Sequence, residues 1–355
     1  MGDCLIPMKV LHGMAEVAGQ GIYTVQGLRK NGLDANMAVW KKNPMNYDTD
    51  IDLKIKLEGH KWKYPFYAMK MGLFALHALN TYDIIHSHFG YSLFPYNLDL
   101  TLIKKKKKRI FAEFHGSDIR FLFNDIKYDC YQPENADTHQ KESQRRRIRR
   151  LIECSEGIIL HDGELRPHLP DIDRPVYIVP LRVDIRKFSP VYPDVKKRKP
   201  VIVHAPSRRK GKGTEEILSV LRQIELDYEL ILVEGKSQQE ALDLYKQADI
   251  VIDQISVGTY GVFAIEAMAL GKPVITYISE DMKKQFPGEL PIISSNCRQL
   301  RQTVEKLLLN GKERNEIGRK SREYVERYHD YVKVTKYLIQ IYEKTIPDLD
   351  LFQLL

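Results

Sequence analysis

The feature that most constrains this chain is a pattern that runs once, stops and starts again. Short apolar runs of strand length alternate with segments of helical period. Met8–His12 reads as a buried strand, Ala18-Gly19-Gln20-Gly21 as a turn, Ile22–Lys30 as a helix and Ala35–Trp40 as a second strand. A helix over Tyr64–Leu79 follows, then strands at Asp83–Ser87, Arg109–Phe114, Gly157–Leu160 and Val176–Val179. Tyr192–Pro200 is rich in Pro and Lys, shows no apolar period and reads as a linker. The alternation then resumes. Strands are expected at Val201–His204, Glu229–Val233, Ile250–Asp253 and Pro273–Tyr277. Helices are expected at Gly213–Ile224, Ser237–Gln247, Val262–Leu270 and Arg298–Leu309, with one long amphipathic helix over Glu313–Tyr342. Strands this short, each followed by a helix, fit parallel sheets closed by crossovers. The expectation is an α/β chain of two Rossmann-like parallel-sheet domains, 1–190 and 191–324.

Composition agrees and removes other classes. A length of 355 residues suits two domains at about 150 residues each. With 43% hydrophobic and 29% charged residues, the chain buries cores and is not intrinsically disordered. No apolar run reaches the roughly 20 residues that span a bilayer. Met1–Pro7 lacks a signal-peptide pattern, and Ile6 stands where a myristoylation start wants Ser or Thr. Cys4, Cys130, Cys154 and Cys297 are scattered, which argues for a reducing compartment without disulfide or zinc spacing.

The net charge of +8 is uneven, +6 through Pro190 and +2 beyond it. Lys104–Arg109 and Arg145–Arg150 dominate the first half. They read either as a solvated loop and helix face or as a contact for an anionic membrane surface. No zinc finger or aromatic-interleaved basic motif accompanies them, so no nucleic-acid partner is expected.

Four motifs carry chemistry. Gly19-Gln20-Gly21 lies between a strand and a helix, where glycine lets a ligand approach and the helix start favours anions. Thr24 stands where a third glycine of a dinucleotide fingerprint would be, so a plain tight turn fits as well as a binding loop. Ser207–Thr214 (SRRKGKGT) follows a strand and opens a helix, placing Arg208 and Lys212 where a diphosphate could bind. In Gly258–Pro273, Glu266 sits mid-helix on an apolar face and needs either a salt bridge or ligand hydroxyls. Glu113–Asp118 (EFHGSD) puts His115 and Asp118 at a strand end, with His86 and His88 at another. No His, Cys and carboxylate set has metal spacing.

Taken together, these segments resemble the GT-B glycosyltransferases, family 4 in particular. Val179–Pro190 (VPLRVDIRKFSP) looks like the interdomain signature of that family. Arg208, Lys212-Gly213, Tyr260-Gly261-Val262, Glu266–Ala269 and Gly271–Val274 resemble its nucleotide-sugar signature. The resemblance implies two domains facing a cleft, with a C-terminal helix (about 325–355) packing back on the first domain. It implies a retaining, metal-independent hexosyltransferase-like enzyme acting in cell-surface polysaccharide, glycolipid or glycoconjugate synthesis. Arg208, Lys212 and His115 would be catalytic. Gly19, Gly21, Ser207, Glu234, Gly258, Tyr260, Gly261, Val262 and Glu266 would line the donor site, and His88 and Asp118 the acceptor side. The implied partners are a nucleoside diphosphate sugar, UDP ahead of GDP, and a glycan, lipid-linked or protein-linked acceptor, with no further cofactor. The location would be cytoplasmic, peripheral to the inner membrane face.

Three departures stand out. Gly258 replaces the first of two glutamates that the family spaces eight apart, and Asp253 is the nearest substitute. The stretch from Glu229 to Ile250 is short, leaving Glu234, Gly235 and Lys236 as base-pocket candidates. Leu181-Arg182 replaces an Asn-Gly turn. A non-catalytic scaffold and a nucleotide-sugar epimerase of the same fold remain alternatives.

Overall fold

The computed structural model describes residues 8–42, 47–56, 61–124 and 138–344. Met1–Pro7, Cys4 and Cys130 lie outside them. The described chain falls into two units. The first holds residues 8–124, 138–182 and 331–344, and the second holds 183–330.

The first unit is built on one sheet. Its strands are β1 (Lys9–Met14), β2 (Asp34–Val39), β3 (Ile51–Asp52), β4 (Ile84–His88), β5 (Arg109–Glu113), β6 (Gly157–Leu160) and β7 (Val176–Ile178). They run in the order β3-β2-β1-β4-β5-β6-β7, every pair parallel. Such strands are covered on both faces, which is why they read as continuous apolar runs. The helices are α1 (Gln20–Lys30), α2 (Tyr64–Thr81), α3 (Leu100–Lys105) and α4 (Thr138–Cys154). The chain steps one way along the sheet from β1 to β2, and the other way from β3 through β6. Right-handed crossovers therefore place α1 on one face and α2, α3 and α4 on the other.

The second unit repeats the plan with five parallel strands: β8 (Val201–His204), β9 (Glu229–Leu232), β10 (Ile250–Ile252), β11 (Val274–Thr276) and β12 (Ile292–Ser294). Their order is β12-β11-β10-β8-β9. Around them lie α5 (Arg209–Lys212), α6 (Thr214–Leu221), α7 (Gln238–Lys246), α8 (Val262–Ala269), α9 (Glu280–Lys283), α10 (Leu300–Leu309) and α11 (Gly311–Tyr328). Ile202, Ile217, Ile250, Ile252, Ile275, Leu300 and Val304 form its core, all fully buried. Each would contribute about 1.5–3 kcal/mol on burial.

Two expectations about the chain's course need correction. The helical stretch to Tyr342 is two helices. It breaks at His329 and Asp330, and α12 (Tyr331–Tyr342) belongs to the first unit. There α12 lies on α1. Asn31 Nδ2 donates to the Val332 carbonyl (2.9 Å), and a side chain at Gly27 would strike Thr335 and the Tyr331 carbonyl. Amphipathic period alone could not show the break, because both helices keep a buried face. The segment Tyr192–Pro200 is not a free linker either. Arg319 stacks over the Tyr192 ring at 4.5 Å, and Asn315 donates to the Pro193 carbonyl (2.8 Å), both from α11. The units divide at Arg182 and Val183.

The basic runs also differ from each other. Lys104, Lys105, Lys106 and Lys107 are exposed. In the second run, Arg145 donates to the Leu122 carbonyl (2.8 Å) and Arg147 covers the Tyr91 ring (4.5 Å), so part of it packs on its own unit. Among the described residues, no helix is long and apolar enough to cross a membrane.

Candidate functional site

In the second unit, the loops after β8 and β10 meet at the carboxyl edge of the sheet, where open α/β sheets bind ligands. Lys212 Nζ is 2.7 Å from Asp253 Oδ1, and Asp253 Oδ2 accepts the Gly261 N–H at 3.1 Å. Fully buried Asp253 thus ties the basic loop to the start of α8. The resemblance expects backbone donors to the phosphates or sugar from the Gly261 region, but the N–H of Gly261 itself is committed to Asp253. Gly213 makes the close approach possible. It takes a φ of +71°, and a side chain there would strike Ile255 at 2.6 Å. His204 holds the loop from below. It pairs through Nδ1 with the Ile252 carbonyl (2.8 Å) and through Nε2 with the Thr214 hydroxyl (2.9 Å).

The other donor-site candidates divide. Ser207 and Arg208 are exposed. Glu234 is also exposed and is ion-paired with Arg209 (2.9 Å), which reaches Glu215 as well (2.8 Å). Tyr260 turns its ring into the unit, with its hydroxyl 3.1 Å from His329 Nε2, so only its backbone remains for a ligand. Val262 opens α8 half-buried. Gly258 takes a φ of +84°, and a Cβ there would lie 3.1 Å from Ser279. A glutamate at that position would be strained and crowded, which gives the departure a physical reason.

Glu266 stands apart. It is 8% exposed, and among the described residues its carboxyl has no hydrogen-bond or ionic partner. Burial raises its pKa to about 7. A buried carboxyl without a partner is costly, and one with a raised pKa is a candidate functional position.

In the first unit the expected anion position is already filled. Glu16 Oε2 accepts the Ile22 N–H at 2.8 Å at the start of α1, and a side chain at Gly21 would meet that carboxylate. Burial lifts Glu16 to about 7, against the pull of the backbone N–H groups of Ile22, Gly19 and Gly21. Gly19 caps α1 with a φ of +82°. Thus Gly19 and Gly21 serve close packing around the chain's own carboxylate.

The main structure around His115 is a buried hydrogen-bonded chain that no single motif displays. The Arg182 guanidinium pairs with Glu113, which keeps the carboxylate ionised. Burial pushes Glu113 up, but the Arg182 charge and the His86 N–H outweigh it and hold it well below the usual range. His86 Nε2 is 2.7 Å from Glu113 Oε2, and a carboxylate only accepts, so Nε2 carries the hydrogen. His86 Nδ1 must then accept, and it takes the Tyr342 hydroxyl hydrogen (2.5 Å). The Tyr342 oxygen accepts from His12 Nε2 (3.2 Å), and His12 Nδ1 from His88 Nε2 (3.0 Å). His88 Nδ1 accepts from His115 Nε2 (3.0 Å), and His115 Nδ1 from His161 Nε2 (2.9 Å). One carboxylate thereby assigns the tautomers of five rings. The last nitrogen, His161 Nδ1, is left without a hydrogen and lies 3.6 Å from Glu113 Oε1. Burial keeps the rings neutral: His88 and His115 fall to about 3, and His12 and His161 fall well below the usual value.

This accounting changes the roles expected for the loop. Both His115 nitrogens are engaged, so it can give or take a proton only by a shift along the chain. His88 is fully buried behind it. Asp118 accepts the N–H groups of His115 (3.1 Å) and Gly116 (2.8 Å), is 1% exposed and is pushed by burial to about 6. It shapes the loop from inside, where an acceptor has no access to it. The fold also gathers groups that chain spacing did not reveal. His12, His86 and His88, and separately His88, Glu113 and His115, hold ligand atoms within 4.8 Å of one another. The hydrogen bonds of the chain already engage the nitrogens of both sets.

Residues 229–340 match the model of a family described as glycosyl transferase-like. Sucrose-phosphate synthase from Thermosynechococcus elongatus superposes with a TM-score of 0.68 at 18% identity, covering 96% of this chain and 99% of that one. A glycosyltransferase from Rickettsia africae gives 0.64 at 15% identity, with 96% and 98% covered. HepE of Anabaena, in complex with UDP-glucose, gives 0.63 at 12%, with 95% and 100% covered. No curated protein sequence matches. The fold is that of the GT-B glycosyltransferases, as the motifs implied, and the matched segment carries the same resemblance in sequence.

Proposed function

We propose that the chain is a GT-B glycosyltransferase that moves a sugar from a nucleoside diphosphate sugar to a hydroxyl acceptor. The observation that carries the reading is Glu266, a buried carboxyl without a partner among the described residues, on the helix whose N-cap N–H is tied through Asp253 to Lys212. In this reading Glu266 accepts the ribose hydroxyls, and exposed Arg208 with Lys212 neutralises charge growing on the departing diphosphate. The donor is a UDP-sugar, a preference supported by HepE, which was solved with UDP-glucose. The acceptor is a glycan, lipid-linked or protein-linked hydroxyl. Transfer retains the anomeric configuration and uses no metal; family 4 is the member family. The acceptor proton leaves with the diphosphate, since positioning and electrostatics rather than a side-chain nucleophile drive the step.

The test is thermal stabilisation by UDP, GDP, ADP, CMP and their sugars, with and without EDTA, on the intact protein and on Glu266→Gln. A ligand bound only by the folded state raises Tm. The reading expects a UDP shift that EDTA leaves unchanged and Glu266→Gln reduces. No shift with any nucleotide would favour a binding or scaffold role, for which Gly258 is the motivating departure. Release of free diphosphate without acceptor glycosylation would favour an epimerase-like or hydrolytic enzyme.

A further inference from the structure

Helix α2 is apolar on two sides. Met71, Phe74, Ala75, Ala78 and Leu79 are buried against the sheet. On the opposite side Phe66, Met69, Leu73 and Leu76 are 57%, 57%, 61% and 48% exposed, and Trp62, in the turn before the helix, is 75% exposed. Positions 66, 69, 73 and 76 advance by three and four, so they form one row about 15 Å long at 1.5 Å per residue, with Trp62 in the turn before it. Helix α2 contains no acidic residue. A contiguous row of large apolar side chains in water marks an interaction surface.

Its surroundings identify the partner. Helices α2, α3 and α4 share one face of the sheet. Lys106 Nζ bonds Asn80 Oδ1 (2.9 Å), which joins the exposed lysines 104–107 to the carboxyl end of α2. Tyr96 and Leu98, also on this side, are 70% and 60% exposed. A partly aromatic row flanked by a cluster of lysines matches the two layers of an anionic bilayer surface, acyl boundary and phosphate headgroups. We infer that the first unit docks on anionic lipid through the α2 row, with Lys104–Lys107 on the headgroups. This moves the membrane contact away from Arg145–Arg150, whose Arg145 and Arg147 are occupied within the unit. The inference stands independently of the transferase reading.

The chain has two tryptophans, and Trp40 is half-buried with its indole on the Leu93 carbonyl (3.3 Å). Trp40→Phe therefore leaves Trp62 as a reporter on the row. The full chain is floated with vesicles of phosphatidylcholine alone and with 30% phosphatidylglycerol, the latter at low and high salt. Binding to the anionic vesicles, a blue shift of Trp62 emission and quenching by brominated acyl chains are expected. Phe66→Glu/Leu73→Glu should weaken binding at least tenfold. Neutralising Lys104–Lys107 to Gln should weaken it about fivefold per lysine removed and flatten its salt dependence. The Tm of both variants, with and without UDP, separates loss of docking from loss of fold and from failure of the donor site. The inference is overturned if the chain ignores anionic vesicles, or if Phe66→Glu/Leu73→Glu binds them as well as the parent. It also falls if the row instead holds two copies of the chain together, seen as a concentration-dependent dimer in sedimentation that the same variant dissolves.

Discussion

The two units share a plan and treat buried polar groups in opposite ways. The first links its polar groups to one another: Glu113, paired with Arg182, starts a single ordered chain through five histidines and Tyr342 that ends at His161 Nδ1. The second leaves its network open. Asp253 and Lys212 hold each other at the sheet edge, while Glu266 is buried and unpaired among the described residues. A chain of linked bonds rigidifies, and a buried carboxyl without a bond stands outside any such chain. Chemistry is therefore expected to fail when the second unit is altered, and stability when the first is.

The largest effect should come from Glu113→Gln. It leaves the Arg182 guanidinium buried without its counter-charge, which costs about 3–5 kcal/mol. A fall in unfolding free energy of that size, read from urea melts, fits a Glu113–Arg182 pair that anchors the chain; a loss below about 1 kcal/mol would show that it does not. Next, Arg208→Ala should lower kcat by about 10²–10³, as removal of one charge-stabilising donor does, with Tm unchanged. Equal turnover would take Arg208 out of the mechanism. Third, Glu266→Gln should weaken UDP binding by about 1–3 kcal/mol, read by calorimetry.

Acidity gives the sharpest contrast. In the first unit burial holds the pKa values of His12, His86, His88, His115 and His161 below the ordinary histidine value. The folded state then binds fewer protons than the unfolded chain, and the stability held above about pH 6.5 drains as pH falls toward 3. Glu266 runs the other way. Its pKa is raised to about 7, so its contribution is full below the ordinary carboxyl value and is lost as pH rises to 7. Glu16 in the first unit shares that sign, so the Glu266 share is the difference between the parent and Glu266→Gln melts. Identical pH profiles for the two would contradict the burial assigned to Glu266. The smallest and most local prediction is spectroscopic: nitrogen shifts should report the Nε2–H tautomer in His12, His86, His88, His115 and His161. One ring in the other form would break the direction of the chain.

The sheets were legible because their strands are short, β-branched and bounded by turns; Gly157–Leu160 and Val201–His204 coincide with the expected runs. The donor loop was legible because its residues are neighbours in sequence. The histidine chain was not, since its members come from β1, β4, the loops after β5 and β6, and α12. Only the parallel register that sets His12 beside His86, and His88 beside Glu113, brings them together. Helix α2 was read through its periodicity, yet periodicity counts apolar residues without saying which face has a partner.

The return of α12 has a consequence for the order of events during synthesis. Tyr342 completes the bonds of His86 and His12, but it leaves the ribosome after all of residues 183–330. The first unit must therefore wait, with its histidines unfinished, while the second folds. A released chain truncated before Tyr331 should hold a folded second unit and a first unit that still exchanges its core amides.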